Sequence, residues 1–145
     1  MSYLDISLQA QDNQFYSLRN FAGKKVILFF YPKDMTEGCT IEARDFTLYK
    51  ERFEAKGYTI IGVSRDSVKS HCSFIEKEGL DLLLLADTEE LLVNAFQVLK
   101  EKNMYGKKVM GVERSTFILN EQGEIVQELR KVSAIGHVQN LYESL

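Results

Sequence analysis

Residues 31–42 read Tyr-Pro-Lys-Asp-Met-Thr-Glu-Gly-Cys-Thr-Ile-Glu, and Pro32 is the chain's single proline. The stretch follows an apolar run, Val26 to Tyr31, and precedes an amphipathic pattern. It therefore reads as a strand-to-helix loop, with Cys39 at or just before the first helical turn. Unpaired backbone N–H groups and the positive end of a helix dipole favour thiolate over thiol. The chemistry this offers is nucleophilic attack by sulfur. A small buried hydrophobe at a βα junction uses the same residue differently, and the local stretch leaves both open.

From Thr40 to Ala55 the apolar residues recur with a helical period. At about 100° per residue, Phe46, Tyr49 and Phe53 fall within about 60° of one another, and Cys39 extends that stripe if the helix reaches it. Glu42 falls in its middle. A carboxylate on a buried face is costly unless paired, so Glu42 demands a cation from elsewhere in the chain.

The elements that must position these residues follow in order. Residues 1–24 read as an irregular lead-in with a short hairpin or edge strand. Val26–Tyr31 is a strand covered on both faces, and Tyr58–Ser64 is a second. Asp66 or Ser67 caps a helix running to about Glu78, with Gly79 at its C′ position. Leu82–Ala86 is a third strand, and Asp87 or Thr88 caps a helix reaching about Phe96. Residues 97–113, rich in Lys and Gly, read as a long solvated connection. Ser115–Leu119 and Ile125–Leu129 are strands joined by a four-residue hairpin loop, Asn120 to Gly123. A last helix spans about Ala134 to Ser144. Repeated βα units force parallel pairing with right-handed crossovers, and the hairpin adds an antiparallel pair. The fold class is α/β, a thioredoxin-like central mixed β-sheet with helices on both faces, in one domain spanning residues 1–145. Ligands in such folds gather at the C-terminal ends of strands, where the loop before Cys39 lies.

With 145 residues, 45% hydrophobic and 27% charged, the chain can bury a core without staples, and a net charge of −3 argues against a nucleic-acid or polybasic membrane surface. No basic region followed by an apolar core opens the sequence, so no leader is expected. Its longest apolar runs are strand-sized, so no membrane span is expected either. Two cysteines suit a redox or catalytic role in a reducing compartment, and a cytoplasmic address follows as the expectation.

Pro32, Thr36 and Cys39 form the Pro-x3-Thr-x2-Cys pattern of peroxiredoxins. The surrounding Phe-Tyr-Pro-Lys-Asp and Gly-Cys-Thr-x-Glu-Ala resemble the subgroup called bacterioferritin comigratory protein, or PrxQ. The likeness extends through Gly62-Val-Ser-Arg-Asp-Ser-Val, Ser70-His71 with Phe74, Met104-Tyr-Gly-Lys, Gly111 and Arg114-Ser-Thr-Phe. This resemblance implies a thiol-dependent peroxidase acting on hydrogen peroxide and organic hydroperoxides. Cys39 would be the peroxidatic cysteine, oxidised to a sulfenic acid. Thr36 would bond the thiolate and the peroxide, Arg114 would hold the thiolate and polarise the O–O bond, and Pro32 would shape and dry the pocket. Glu42 would hold Arg114, which is the cation its burial demands. The resemblance also implies thioredoxin or a similar small thiol protein as reductant, no metal or other cofactor, and a monomer or weak dimer.

Thiolate supply alone cannot explain fast peroxide reduction. Lowering a thiol pKa from about 8.5 to about 6 gains roughly thirtyfold in thiolate at neutral pH, and nucleophilicity falls with pKa. Donors for the leaving oxygen must dominate, and the expected ones are Thr36, Arg114 and the N–H groups near Gly38 and Cys39.

The sequence also departs from the subgroup. Its common second cysteine, five positions after the first, is Arg44 here, and its proline two before the cysteine is Glu37. An inward Glu37 would oppose thiolate formation, whereas a solvated one would not. Cys72, on the flank of the stripe formed by Val68, His71 and Ile75, is the candidate resolving cysteine. The other route is direct reduction of Cys39 by an external thiol. His71 beside Cys72 reads as a structural histidine, and His137 as a surface or capping residue. A dithiol oxidoreductase would need Cys-x-x-Cys, but residue 42 is Glu. A peroxide-sensing or non-catalytic redox module would keep the thiolate without fast turnover.

Overall fold

The computed structural model describes residues 2–145. In chain order its strands and α-helices are β1 (Leu8–Ala10), β2 (Phe15–Tyr16), β3 (Lys25–Phe30), α1 (Glu37–Ala55), β4 (Tyr58–Ser64), α2 (Val68–Glu78) and β5 (Leu83–Ala86). They continue with α3 (Leu91–Ala95), β6 (Leu99–Met104), β7 (Lys107–Val112), β8 (Ser115–Leu119), β9 (Ile125–Leu129) and α4 (His137–Ser144). The main sheet has the order β2-β1-β5-β4-β3-β8-β9. β3, β4 and β5 pair in parallel, while β1 and β8 run antiparallel to their neighbours β5 and β3.

The alternation along β3 builds two cores. Val26, Leu28 and Phe30 face one side, packed with Leu92, Val93 and Phe96 from the α3 region. Ile27, Phe29 and Tyr31 face the other, packed with Cys39, Ala43, Phe46 and Phe53 of α1, Phe74 of α2, and Val138 and Leu141 of α4. Phe46 and Phe53 are fully buried, and each such side chain contributes about 1.5–3 kcal/mol of hydrophobic stabilisation. That stripe is what fixes the rotation of α1, and with it the direction of Cys39 and Glu42.

Several expected elements differ in detail. Residues 97–113 are not an open connection: β6 and β7 form a separate antiparallel hairpin, turned at Tyr105 and Gly106 with φ of 51° and 78°. Positive φ at both central residues is the signature of a tight two-residue hairpin turn. The third helix starts at Leu91, not near Thr88. The Asp87 carboxylate reaches forward to accept from the N–H groups of Leu91, Leu92 and Val93, so the cap lies several residues before the helix it serves. α1 begins at Glu37, three residues ahead of Thr40, and α4 begins at His137 instead of Ala134. α2 ends as its sequence predicts, on Gly79 with a left-handed φ of 62°. No described helix is long and apolar enough to cross a membrane.

Candidate active site

The site begins where β3 ends. The N–H of Tyr31 still donates to the Val63 carbonyl of β4, 3.1 Å away, but half-buried Pro32 has no N–H, so the ladder stops and the chain turns into the loop. Thr36 is the N-cap of α1, and the first helical bond runs from the Thr40 N–H to the Thr36 carbonyl. The N–H groups of Glu37, Gly38 and Cys39 therefore form the open start of a 19-residue helix. The thiol of Cys39 sits on its inner face, in a residue only 1% exposed.

β8 supplies the cation. Its pairing with β3 sets Ser115 opposite Phe30, so Arg114, one residue earlier, emerges beside the loop. Its guanidinium serves two residues at once. Nη1 donates to Glu42 Oε1 at 2.8 Å, and Nη2 donates to Cys39 Sγ at 3.5 Å. Glu42 is fully buried, and its second oxygen, Oε2, has no partner among the described atoms. Burial pushes the Glu42 carboxyl up to about 7, and the charge and hydrogen bond of Arg114 only partly oppose this. Burial acts to lower the Arg114 pKa, but the neighbouring Glu42 and Cys39 outweigh it and hold the guanidinium above its ordinary value.

Gly38 makes the close approach possible. A Cβ there would lie 2.9 Å from Arg114 Nη2 and 3.6 Å from the Ala134 side chain. Thr36 is placed differently from expectation. Its hydroxyl lies 2.8 Å from the Lys33 carbonyl, and a carbonyl can only accept, so the hydroxyl proton is engaged there instead of on Cys39. Its lone pairs stay available to an O–H donor such as a hydroperoxide. Glu37 is exposed, at the helix end that favours a negative charge. Arg44 is exposed on the outer face of α1, 4.0 Å from Glu78. Cys72 is also exposed, and its thiol donates to the Gln11 carbonyl. Cys39 and Cys72 are both free thiols, so the structure does not bring them together.

His137 is a correction. It is neither a surface group nor a solvated cap: it is buried at the start of α4, with Nε2 2.8 Å from Thr116 Oγ1. Desolvation first, and the charge of Arg114 second, lower its pKa, which favours the neutral imidazole. Sequence reasoning also missed the surroundings of Arg114, where a cleft of about 310 Å³ is lined by Lys100, Lys102, Glu113, Lys131 and Val132. A larger cleft, of about 480 Å³, lies between β1 and the start of α2 and contains none of these groups. The third omission is Asp34, a buried carboxylate only five residues before Cys39. No local pattern signals it, because besides Tyr31 its side-chain partners, Ser70 and His71, come from α2.

A buried cysteine at a helix start of a thioredoxin-type fold, held by an arginine that a buried carboxylate orients, defines the class of thiol-dependent peroxidases. Comparison with known proteins agrees. Residues 2–128 match the AhpC/TSA family. The chain is 47% identical over 141 residues to Peroxiredoxin Bcp of Xanthomonas campestris, covering 97% of this chain and 88% of that protein. It is 44% identical over 141 residues to Peroxiredoxin Bcp of Bacillus subtilis, covering 97% and 90%. Among solved structures, one on the alkyl peroxide reduction activity of X. campestris bacterioferritin comigratory protein superposes with a TM-score of 0.93 at 45% identity, covering 98% of this chain and 90% of that one. The chain belongs to the AhpC/TSA family, among the peroxiredoxins, and is a thiol-dependent peroxidase. Two structures of X. campestris Peroxiredoxin Q carry cysteine-to-serine mutations 36 positions apart. Here the cysteines are 33 apart, and the residue 36 positions after Cys39 is half-buried Ile75.

Proposed function

We propose that Cys39 is the peroxidatic nucleophile for hydrogen peroxide and organic hydroperoxides, with Arg114, Thr36, Pro32, Gly38 and Glu42 around it. The observation that carries this reading is the single guanidinium shared between Cys39 Sγ and Glu42 Oε1. The thiolate attacks the terminal oxygen of the peroxide. An S–O bond forms as the O–O bond breaks, the sulfur loses two electrons, and the alkoxide or hydroxide leaves and takes up a proton. Arg114 and the N–H groups at the start of α1 face the charge that develops on the departing oxygen. Thr36 accepts from the peroxide O–H, and Pro32 withholds a competing donor.

The sulfenic acid then condenses with a thiol, releasing water and forming a disulfide that a second thiol reduces. A small dithiol protein of the thioredoxin type suits this, in a reducing, cytoplasmic setting with residues 1–145 acting as one domain. Cys72 as the first thiol requires Cα atoms to come within about 7 Å, so the start of α1 or part of α2 must unwind. Its exposed position, and its spacing of one helical turn short of the X. campestris pair, favour direct attack by the external thiol. Steady-state peroxide consumption with thioredoxin and its reductase tests the reading: Cys39→Ser abolishes turnover, and a Cys39→Ser chain that keeps turning over refutes it. Intact mass after one equivalent of peroxide separates the recycling routes. A gain of one oxygen supports the external thiol, and a loss of two hydrogens supports Cys72.

A further inference from the structure

Asp34 and His71 are 37 positions apart in the chain, yet His71 Nδ1 lies 2.7 Å from Asp34 Oδ2 with both side chains at most 1% exposed. His71 Nε2 faces the Leu85 carbonyl of β5 at 3.0 Å. A carbonyl only accepts, so that nitrogen carries a proton, and a further proton sits between Nδ1 and the carboxylate. Asp34 is satisfied on every side. Tyr31 donates to Oδ1 at 2.6 Å and Ser70 donates to Oδ2 at 2.8 Å. The backbone N–H of Asp34 donates to Asp66, 2.8 Å away. This cluster shares no residue with the Cys39, Glu42 and Arg114 set.

Its position says what it does. Asp34 lies two residues before the N-cap of α1, while Ser70 and His71 lie on α2, so the cluster pins the loop that carries Pro32 and Thr36 onto a neighbouring helix. Between Asp34 and Thr36, Met35 has φ of 65°. That conformation costs a residue with a side chain about 1 kcal/mol or more, and it persists only where flanking contacts impose it. A buried, fully bonded pair of this kind contributes positional specificity more than net stability. Cys39, meanwhile, is 1% exposed, so no thiol reaches its sulfur until the loop and helix start move.

We propose that Asp34 and His71 are positioning residues that form a clasp. Closed, it holds the 31–36 loop in the arrangement that receives peroxide; open, it releases the oxidised Cys39 to meet a thiol. The proposal rests on Cys39 being the nucleophile. The test compares reduced full-length wild type, Asp34→Ala and Asp34→Asn by two rates read at Cys39 by peptide mass, since exposed Cys72 also reacts. One is oxidation by hydrogen peroxide, and the other is alkylation by iodoacetamide, which needs an exposed thiolate but no hydrogen-bond donors for a leaving oxygen. Asp34→Ala slows oxidation about tenfold and speeds alkylation about tenfold. Asp34→Asn falls between, because its amide still accepts from Tyr31 and donates to a neutral His71. Ser70→Ala gives the same two signs at smaller amplitude and serves if thermal unfolding shows the Asp34 variants unfolded. If peroxide leaves wild-type Cys39 unoxidised, the nucleophile reading falls and the clasp with it. If wild type is oxidised at Cys39 but the variants leave both rates unchanged, or move them in the same direction, the clasp alone is overturned.

Discussion

Glu42 and Arg114 form an ion pair at 2.8 Å in which the carboxylate is fully buried and the guanidinium remains partly exposed. The pair is unequal: Arg114 places its second nitrogen on Cys39, while the second oxygen of Glu42 has no partner among the described residues. Such a carboxylate is costly as an anion, and in the proposed site its role is to aim the arginine.

That cost gives a pH signature. Glu42 titrates near 4.5 in the unfolded chain and at about 7 in the folded one. Between these values the folded chain binds the proton more tightly. The stability this contributes is full below about 4.5 and is lost as pH rises through about 7. Thermal unfolding from pH 5 to 8 should show wild type losing stability relative to Glu42→Gln as pH rises. A difference that stays constant over that range contradicts the assignment.

Gly38→Ala places a methyl group 2.9 Å from Arg114 Nη2. An arginine tip on the surface would swing aside, but this one is anchored at both nitrogens, so relief costs the contact to Cys39. Oxidation of Cys39 by peroxide should slow about tenfold with little loss of overall stability. Stopped-flow oxidation rates together with urea unfolding check this, and an unchanged oxidation rate counts against the geometry.

Asp87 provides the opposite profile. Removing it in Asp87→Ala leaves the N–H groups of Leu91, Leu92 and Val93 without their acceptor. The expected cost is about 1–3 kcal/mol in urea unfolding. The rate of Cys39 oxidation should not change, since α3 packs on the sheet face away from α1.

The apolar runs made β3, β4 and β8 legible, because buried strands show as continuous or β-branched segments, whereas mostly exposed β9 was marked by the Asn120–Gly123 turn before it. The stripe Phe46, Tyr49 and Phe53 made Glu42's burial legible, and hence its need for Arg114. The β6–β7 hairpin was hidden because its residues 107–110 are all exposed, so no alternation marks its faces. The start of α3 was misplaced because the capping side chain is not adjacent to the helix it caps, with Glu90 between them at φ 61°. Asp34, His71 and His137 were illegible as site neighbours for a different reason. Their partners are set by how the loop, α2, α4 and the sheet pack together, which local pattern does not encode. The Thr36 hydroxyl turned to Lys33 for a local reason instead, since the loop's own backbone offers an acceptor three residues back at 2.8 Å.

In the proposed mechanism Arg114 stabilises the departing oxygen, beyond any effect on how much thiolate Cys39 carries. Arg114→Lys keeps the positive charge but cannot place two donors in a fixed fork on Glu42 and Cys39. Stopped-flow oxidation of Cys39 by hydrogen peroxide, with thiolate followed by its ultraviolet absorbance across pH, measures both quantities on one sample. The second-order rate should be lower by about 10²-fold in Arg114→Lys at equal thiolate fraction. A variant that retains nearly the full rate with an unchanged thiolate titration would contradict it.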